Sequence, residues 1–122
     1  ERINVALHSQ SAYARHGWVA GSEVTTDGLR RAFEALHCVR ICQVFAPFSY
    51  DGHSDRTWDL VIVEGYTGSV PAFIHEVRAG NDEVVVLFYL LDTYPSLSVV
   101  GNLDVDAFLT NSRALLPFLR EA

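Results

Sequence analysis

His8, Tyr13, His16 and Trp18 lie in one polar stretch, His8 to Gly21, that follows the apolar run Ile3 to Leu7. Their types suit chemistry on a hydroxyl-rich ligand. Aromatic faces at Tyr13 and Trp18 can stack on sugar rings, and the imidazoles of His8 and His16 exchange protons near neutrality. Gly17 and Gly21 let the backbone bend close to a ligand, and a helix beginning near Ser22 would offer its amino end to a polar or anionic group. The stretch exceeds the roughly two to six residues of an ordinary strand-to-helix connection, and such excess length often carries function. Its spacing matches neither GxGxxG nor a Walker loop, so no dinucleotide or P-loop fingerprint is present. A lid packed by Trp18 is the alternative reading.

Two carboxylates stand at the ends of apolar runs. Glu64 closes Leu60 to Val63 and precedes Gly65-Tyr66-Thr67-Gly68, a place for a proton acceptor, a hydroxyl-binding group or a cap on the next turn. Asp92 follows Val84 to Leu91, with Tyr89 near it. If a hydroxyl must lose its proton as it attacks, Asp92 is the first candidate base, followed by His8 and His16. Asn111 and Ser112 can bond loop amides and begin the last helix. His37, His53 and His75 lack ligand spacing with Cys or a carboxylate, so neither a metal nor another cofactor is expected.

The elements that must position these groups are legible as alternating runs. Ile3 to Leu7 predicts a first strand, and Leu29, Ala32, Phe33 and Leu36 recur at helical spacing after a start at Ser22, Thr25 or Thr26. Arg30, Arg31 and Glu34 would face water. Val39 to Phe45, Asp59 to Glu64, Val84 to Leu91 and Asp106 to Leu109 predict four more strands, with a helix over Val70 to Val77 ending near Gly80 and another after Ser112, interrupted or shifted by Pro117. The β-branched run ending at Glu64 is the pattern of a strand covered on both faces. The prediction is a single three-layer, Rossmann-like α/β domain spanning residues 1–122, with about five parallel strands. His8, Phe45, Glu64, Tyr89 and Thr110 should then line the edge where ligands of open α/β sheets sit.

Composition narrows the partners. The chain has 122 residues, 49% apolar and 20% charged, enough for one core and too short for two large domains. Its charge of −6, with every basic residue an arginine, argues against nucleic acid. Cys38 and Cys42 read as buried free thiols in a reducing compartment. The absence of a long apolar run or a basic-then-apolar leader leads to the expectation of a cytoplasmic protein with no membrane span.

Trp18 to Leu36, Trp58 to Gly65, the strand ending at Asp92 and the tail Asp106-Ala-Phe-Leu-Thr-Asn-Ser-Arg-Ala-Leu-Leu-Pro-Phe-Leu-Arg-Glu-Ala122 together resemble a known family. It is the amino-terminal, acceptor-side domain of retaining two-domain GT-B glycosyltransferases, the large bacterial family that includes sucrose synthases and mannosyltransferases. The resemblance spans nearly the whole chain, through loose motifs. It implies a domain that binds a small-molecule or glycan acceptor through Tyr13, Trp18, Gly21, Ser22, Glu64 and Tyr89. A second domain would bring the nucleotide-sugar, and that partner is expected in the uncut polypeptide or as a separate chain. Gly21-Ser22 matches the family's glycine-rich loop with a single glycine, and Tyr89 to Asp92 stands where a histidine is frequent. The nucleotide-sugar groups of the family belong to its other domain, so this domain alone should be inactive.

A second resemblance is to response-regulator receiver domains, with Glu64 at the place of the phosphorylated aspartate and His8-Ser9 at that of the acidic metal-binding pair. Thr110-Asn111-Ser112 stands near the usual Lys-Pro step without a lysine. That likeness implies a degenerate receiver acting as a protein-binding module.

Overall fold

The computed structural model describes residues 1–9, 21–45, 56–90, 99, 101–110, 113 and 116–120, the side chains at 21–23, 118 and 119 aside. Five strands, β1 (Ile3–His8), β2 (Val39–Phe45), β3 (Leu60–Glu64), β4 (Val85–Leu90) and β5 (Ala107–Thr110), form one sheet of order β2-β1-β3-β4-β5. Every pairing is parallel. Among the described residues the helices are α1 (Gly21–Glu34), α2 (Val70–Gly80) and α3 (Leu116–Arg120).

The apolar runs form strands because they are covered on both sides, and the two-residue period of the pleat sorts them. Val5, Leu7 and Ile62 pack with Leu29 and Phe33 of α1, together with Leu60, Leu87 and Tyr89. Ala6, Val61, Val63, Val86 and Phe88 point the other way, onto Phe73, Ile74 and Val77 of α2. Helices therefore flank the sheet on opposite faces, as the apolar character of the middle strands requires. The sheet runs outward in both directions from β1, so the chain's switch point falls between β1 and β3. In open parallel sheets such a point is where ligands commonly bind.

Local departures from the expected elements have physical causes. Gly21 opens α1, so Ser22 and Thr25 lie within the helix rather than ahead of it. Leu29 and Phe33 do face the core, but Ala32 is exposed, and Leu36 lies beyond the helix end and is 49% exposed. The chain leaves α1 at Glu34, and apolar periodicity past that point no longer reports a helical face. Arg30 and Arg31 both reach Asp27, and Arg30 also reaches Glu34, along the outer surface. Pro71 sits in the first turn of α2, where its missing N–H removes no helical bond. Pro117 likewise falls in the first turn of α3, a position that a helix tolerates. Cys42 is buried, which pushes its thiol up to about 11, whereas Cys38 is exposed and both are free. The burial expected for Cys38 fails because it lies in the turn before β2.

In β2 the register slips once. Ile3 pairs with Val39 and Asn4 with Ile41, leaving the exposed Arg40 as the extra residue of a bulge. Val39 and Cys42 thereby reach the same apolar cluster despite their odd spacing.

Two polar fastenings hold the strand starts. Asp59 accepts the Asn4 amide at 2.8 Å through Oδ2, and its carbonyl accepts the Val85 amide at 3.1 Å. Arg78, in the last turn of α2, donates to the Asp104 carbonyl at 2.8 Å, and its Nε lies 2.9 Å from the Asp104 carboxylate. The neighbouring Asp106 carboxylate accepts the Val86 amide at 2.7 Å.

Ile62, 5% exposed in the middle of β3, packs in an apolar cluster with Val5, Leu7 and Val39. Ile62→Asp should largely abolish the cooperative unfolding transition in urea or heat, because an isolated buried carboxylate costs more than the few kcal/mol of margin of a domain this size.

Candidate functional site

The carboxyl ends of the strands gather much of what the sequence placed there. His8 ends β1, Phe45 ends β2, Glu64 ends β3, Thr110 ends β5 and Tyr89 stands next to last in β4. Both Gly21 and Ser22 open α1. Tyr13, His16, Trp18 and Asp92 lie outside the described residues, as do Asn111 and Ser112.

The pleat divides these edge residues between the two faces. His8 pairs with Val63, one residue short of Glu64, and its side chain follows Ala6 onto the α2 face. There its ring meets Phe73 with centroids 4.6 Å apart, tilted by 50°. Phe45 lies against the same Phe73 and against Trp58. Glu64 follows Leu60 and Ile62 onto the α1 face, where the Thr26 hydroxyl donates to its Oε2. Tyr89 is the register partner of Glu64 on β4 and belongs to the same cluster as Ile62. His8 and Glu64 are thus neighbours along the edge with side chains on opposite faces. Glu64, Thr26 and Tyr89 form one group, and His8 forms another with aromatic rings.

Burial sets the charge state of both. His8 is fully buried, and desolvation lowers its imidazole to about 4, so the ring is neutral at pH 7; neither ring nitrogen has a partner among the described residues. Glu64 is 2% exposed, and desolvation raises its carboxyl above the usual range, opposed by the Thr26 hydrogen bond. Its Oε1 is buried as well and has no hydrogen-bond partner among the described residues, so one oxygen is anchored and the other is unsatisfied there. Gly65 follows at once with φ 75, a left-handed turn suited to glycine, and its amide donates to the Tyr89 carbonyl at 3.1 Å. This bond carries the β3–β4 pairing one residue past Glu64 and fixes the carboxyl at the lip of the sheet.

Thr26 is the functional side chain that sequence reasoning assigned elsewhere, as a helix start. Its spacing held the signal: Thr26, Leu29 and Phe33 stand at i, i+3 and i+7, one face of α1. Phe73, stacked under His8, was legible only as one more apolar residue of α2. A hollow of about 230 Å³ lies apart from this edge, between α2 and the approach to β5, lined by Pro71, Ile74, His75, Asn102, Leu103 and Asp104. None of the predicted site residues lines it. Among the described residues no helix is long and apolar enough to cross a membrane.

Comparison with protein-family models, with curated proteins and with solved structures produced no match. The functional argument therefore rests on the sheet edge and its chemistry.

The buried imidazole makes a measurable signature. Its depressed folded value means that the unfolded chain binds the proton first as pH falls, so stability is full above about 6.5 and declines toward 4. The loss amounts to about 3 kcal/mol from a shift of this size. The raised carboxyl of Glu64 works with opposite sign, gaining stability as pH falls. His8→Phe, which keeps a ring against Phe73, should remove the His8 part alone. In urea unfolding at stepped pH, the variant should lose less stability than the parent between pH 6.5 and 4.

Proposed function

We propose that this chain is the acceptor-binding domain of a glycosyltransferase that moves a sugar from a nucleotide-sugar to an acceptor hydroxyl. The observation that carries the reading is Glu64: a buried carboxyl at the carboxyl end of β3, beside the switch point of a parallel sheet, with one oxygen held by Thr26 and the other without a partner among the described residues. A carboxyl oxygen at that edge accepts a donor from a polar ligand, and Tyr89 on the adjoining strand supplies an aromatic wall. The opening of α1 at Gly21 and Ser22 points its amide-rich end toward the same edge, where it favours polar or anionic groups. The resemblance of residues 18–36, 58–65 and 106–122 to the acceptor-side domain of retaining two-domain transferases supports the same assignment.

In this reading the domain positions the acceptor, and a second domain holds the diphosphate of the donor. Closure of the two excludes water while the sugar is transferred with retained configuration. Asp92 is the first candidate to take the acceptor proton. Tyr13, His16 and Trp18 contribute stacking and hydroxyl contacts from the stretch between β1 and α1. His8, neutral and packed on Phe73, forms the wall of the opposite face.

A second reading, a degenerate receiver that binds a protein, is favoured by one specific observation. The strand order 2-1-3-4-5 is the flavodoxin-like variant of the doubly wound sheet, which receiver domains share, and it puts Glu64 at the end of the middle strand.

Trp18→Ala, Asp92→Asn and Glu64→Gln, each made in the complete two-domain protein, separate the two. The transferase reading expects each variant to fold, with acceptor KM raised about tenfold or more for Trp18→Ala and Glu64→Gln, and kcat lowered about a hundredfold for Asp92→Asn. Unchanged transfer kinetics in all three would remove these residues from the mechanism, and no transfer by the complete protein with any nucleotide-sugar would favour the receiver-like module.

A further inference from the structure

The two borders of the sheet are unlike. Among the described residues β2 and β5 are its outer strands, and β2 carries the register slip at Arg40. β5 instead runs in unbroken register with β4, from Leu87–Ala107 to Leu90–Thr110, and its sequence Ala-Phe-Leu-Thr holds neither a charge nor a proline. Charges, prolines and bulges are common means of blunting an outer strand, and β5 has none of the three along its length.

Its backbone direction follows from one bond. The Asp106 amide donates to the Val86 carbonyl at 2.8 Å, and along a strand successive residues turn their N–H and C=O to opposite sides. Phe108 and Thr110 therefore turn toward β4 as Asp106 does, while Ala107 and Leu109 turn outward. The side chains of Ala107 and Leu109 share a face with their register partners Leu87 and Tyr89, the face on which α1 lies chiefly over β1 and β2. Ala107 is exposed there, Leu109 is 40% exposed, and Val85 on the same face of β4 is 44% exposed.

We propose that β5 pairs with β5 of a second copy of this chain, antiparallel about a two-fold axis at Phe108, so that the two sheets become one. In that register Ala107 of each copy stands opposite Leu109 of the other, and each such pair exchanges both of its N–H···O bonds, which uses the outward groups of the strand. Phe108 meets its counterpart in the non-hydrogen-bonded pair at the axis, where facing side chains come closest. It does so on the face where its ring already packs edge-on against Phe88 at 6.0 Å. Leu109 fills the space beside the small Ala107 of the other copy. The ends match in charge as well: Asp104 and Asp106 precede β5 and share the single cation of Arg78, while Arg113 lies exposed beyond it. Antiparallel pairing sets the acidic end of each copy beside the Arg113 end of the other, whereas parallel pairing would set like beside like. The contact closes on itself and leads to a dimer rather than a fibre.

A ladder this short gives a weak contact. The chain's charge of −6 opposes association at long range and is screened beyond about 8 Å at physiological ionic strength. The test is sedimentation velocity of the 122-residue chain from about 1 to about 500 μM at that ionic strength, with amide hydrogen exchange followed by NMR at both ends of the range. The expected result is a reversible monomer–dimer equilibrium, with exchange at Ala107 and Leu109 slowed at least about fivefold on concentration and Phe108 protected throughout. Leu109→Pro removes an outward N–H without touching a bond to β4, and Leu109→Lys sets a charge on the border; each, checked for folding by circular dichroism, should abolish the dimer. Arg113→Glu should raise the dissociation constant about threefold or more. A monomer over the whole range, a dimer in which Ala107 and Leu109 keep their monomeric exchange, or a dimer that survives either folded Leu109 variant would overturn the β5 pairing. An Arg113→Glu dimer as tight as the parent would overturn its antiparallel sense. Should neither Leu109 variant fold, the exchange of the two parental amides decides alone.

Discussion

Everything at the edge of this molecule depends on β3 being buried on both faces. Val61, Ile62 and Val63 are nearly inaccessible, and their side chains alternate between the α1 and α2 layers. A strand so covered cannot slip by one residue without driving each side chain into the wrong layer, so its register is fixed from end to end. The position of Glu64 is a by-product of that constraint. The same alternation carried along β1 puts His8 in the other layer. The chemistry of the edge is therefore partitioned by the packing of the core, and two groups adjacent in the sheet end in separate environments.

Those environments push the two groups in opposite electrical directions through one cause. Desolvation penalises the charged form, which makes an imidazole a weaker base and a carboxyl a weaker acid. His8 becomes a neutral ring packed among aromatics. Among the described residues Glu64 keeps a single polar anchor in Thr26, and its other oxygen is buried without a hydrogen-bond partner. An edge with two unlike sides is a natural consequence of a doubly wound sheet whose middle strand β3 is apolar up to its last residue.

Much of the fold was legible in the sequence because the parallel strands are short apolar-rich runs separated by polar stretches. The order of α and β runs led directly to a parallel sheet. Positions at strand ends were legible for the same reason: Glu64, His8 and Tyr89 stand where apolar runs stop. Which face each residue takes was harder to read, because it depends on pairing register and on which layer each helix covers. Thr26 illustrates the limit, since its contact with Glu64 joins positions 38 residues apart. Nor does local periodicity reveal that α1 ends at Glu34 and leaves Leu36 outside, because the turn into β2 decides it. The bulge at Arg40 was equally invisible, for a one-residue insertion leaves the apolar composition of a strand unchanged.

That bulge has a consequence for the molecule in a crowded solution. Among the described residues β2 is an outer strand of the sheet, and an outer strand offers unpaired amides and carbonyls to any other chain that presents a matching ladder. The extra residue interrupts the regular pairing at that border and sets an exposed guanidinium there. A second sheet approaching β2 would meet a broken ladder and a cation it must dehydrate. A bulge and an exposed basic side chain on an outer strand are features that disfavour edge-to-edge pairing of sheets.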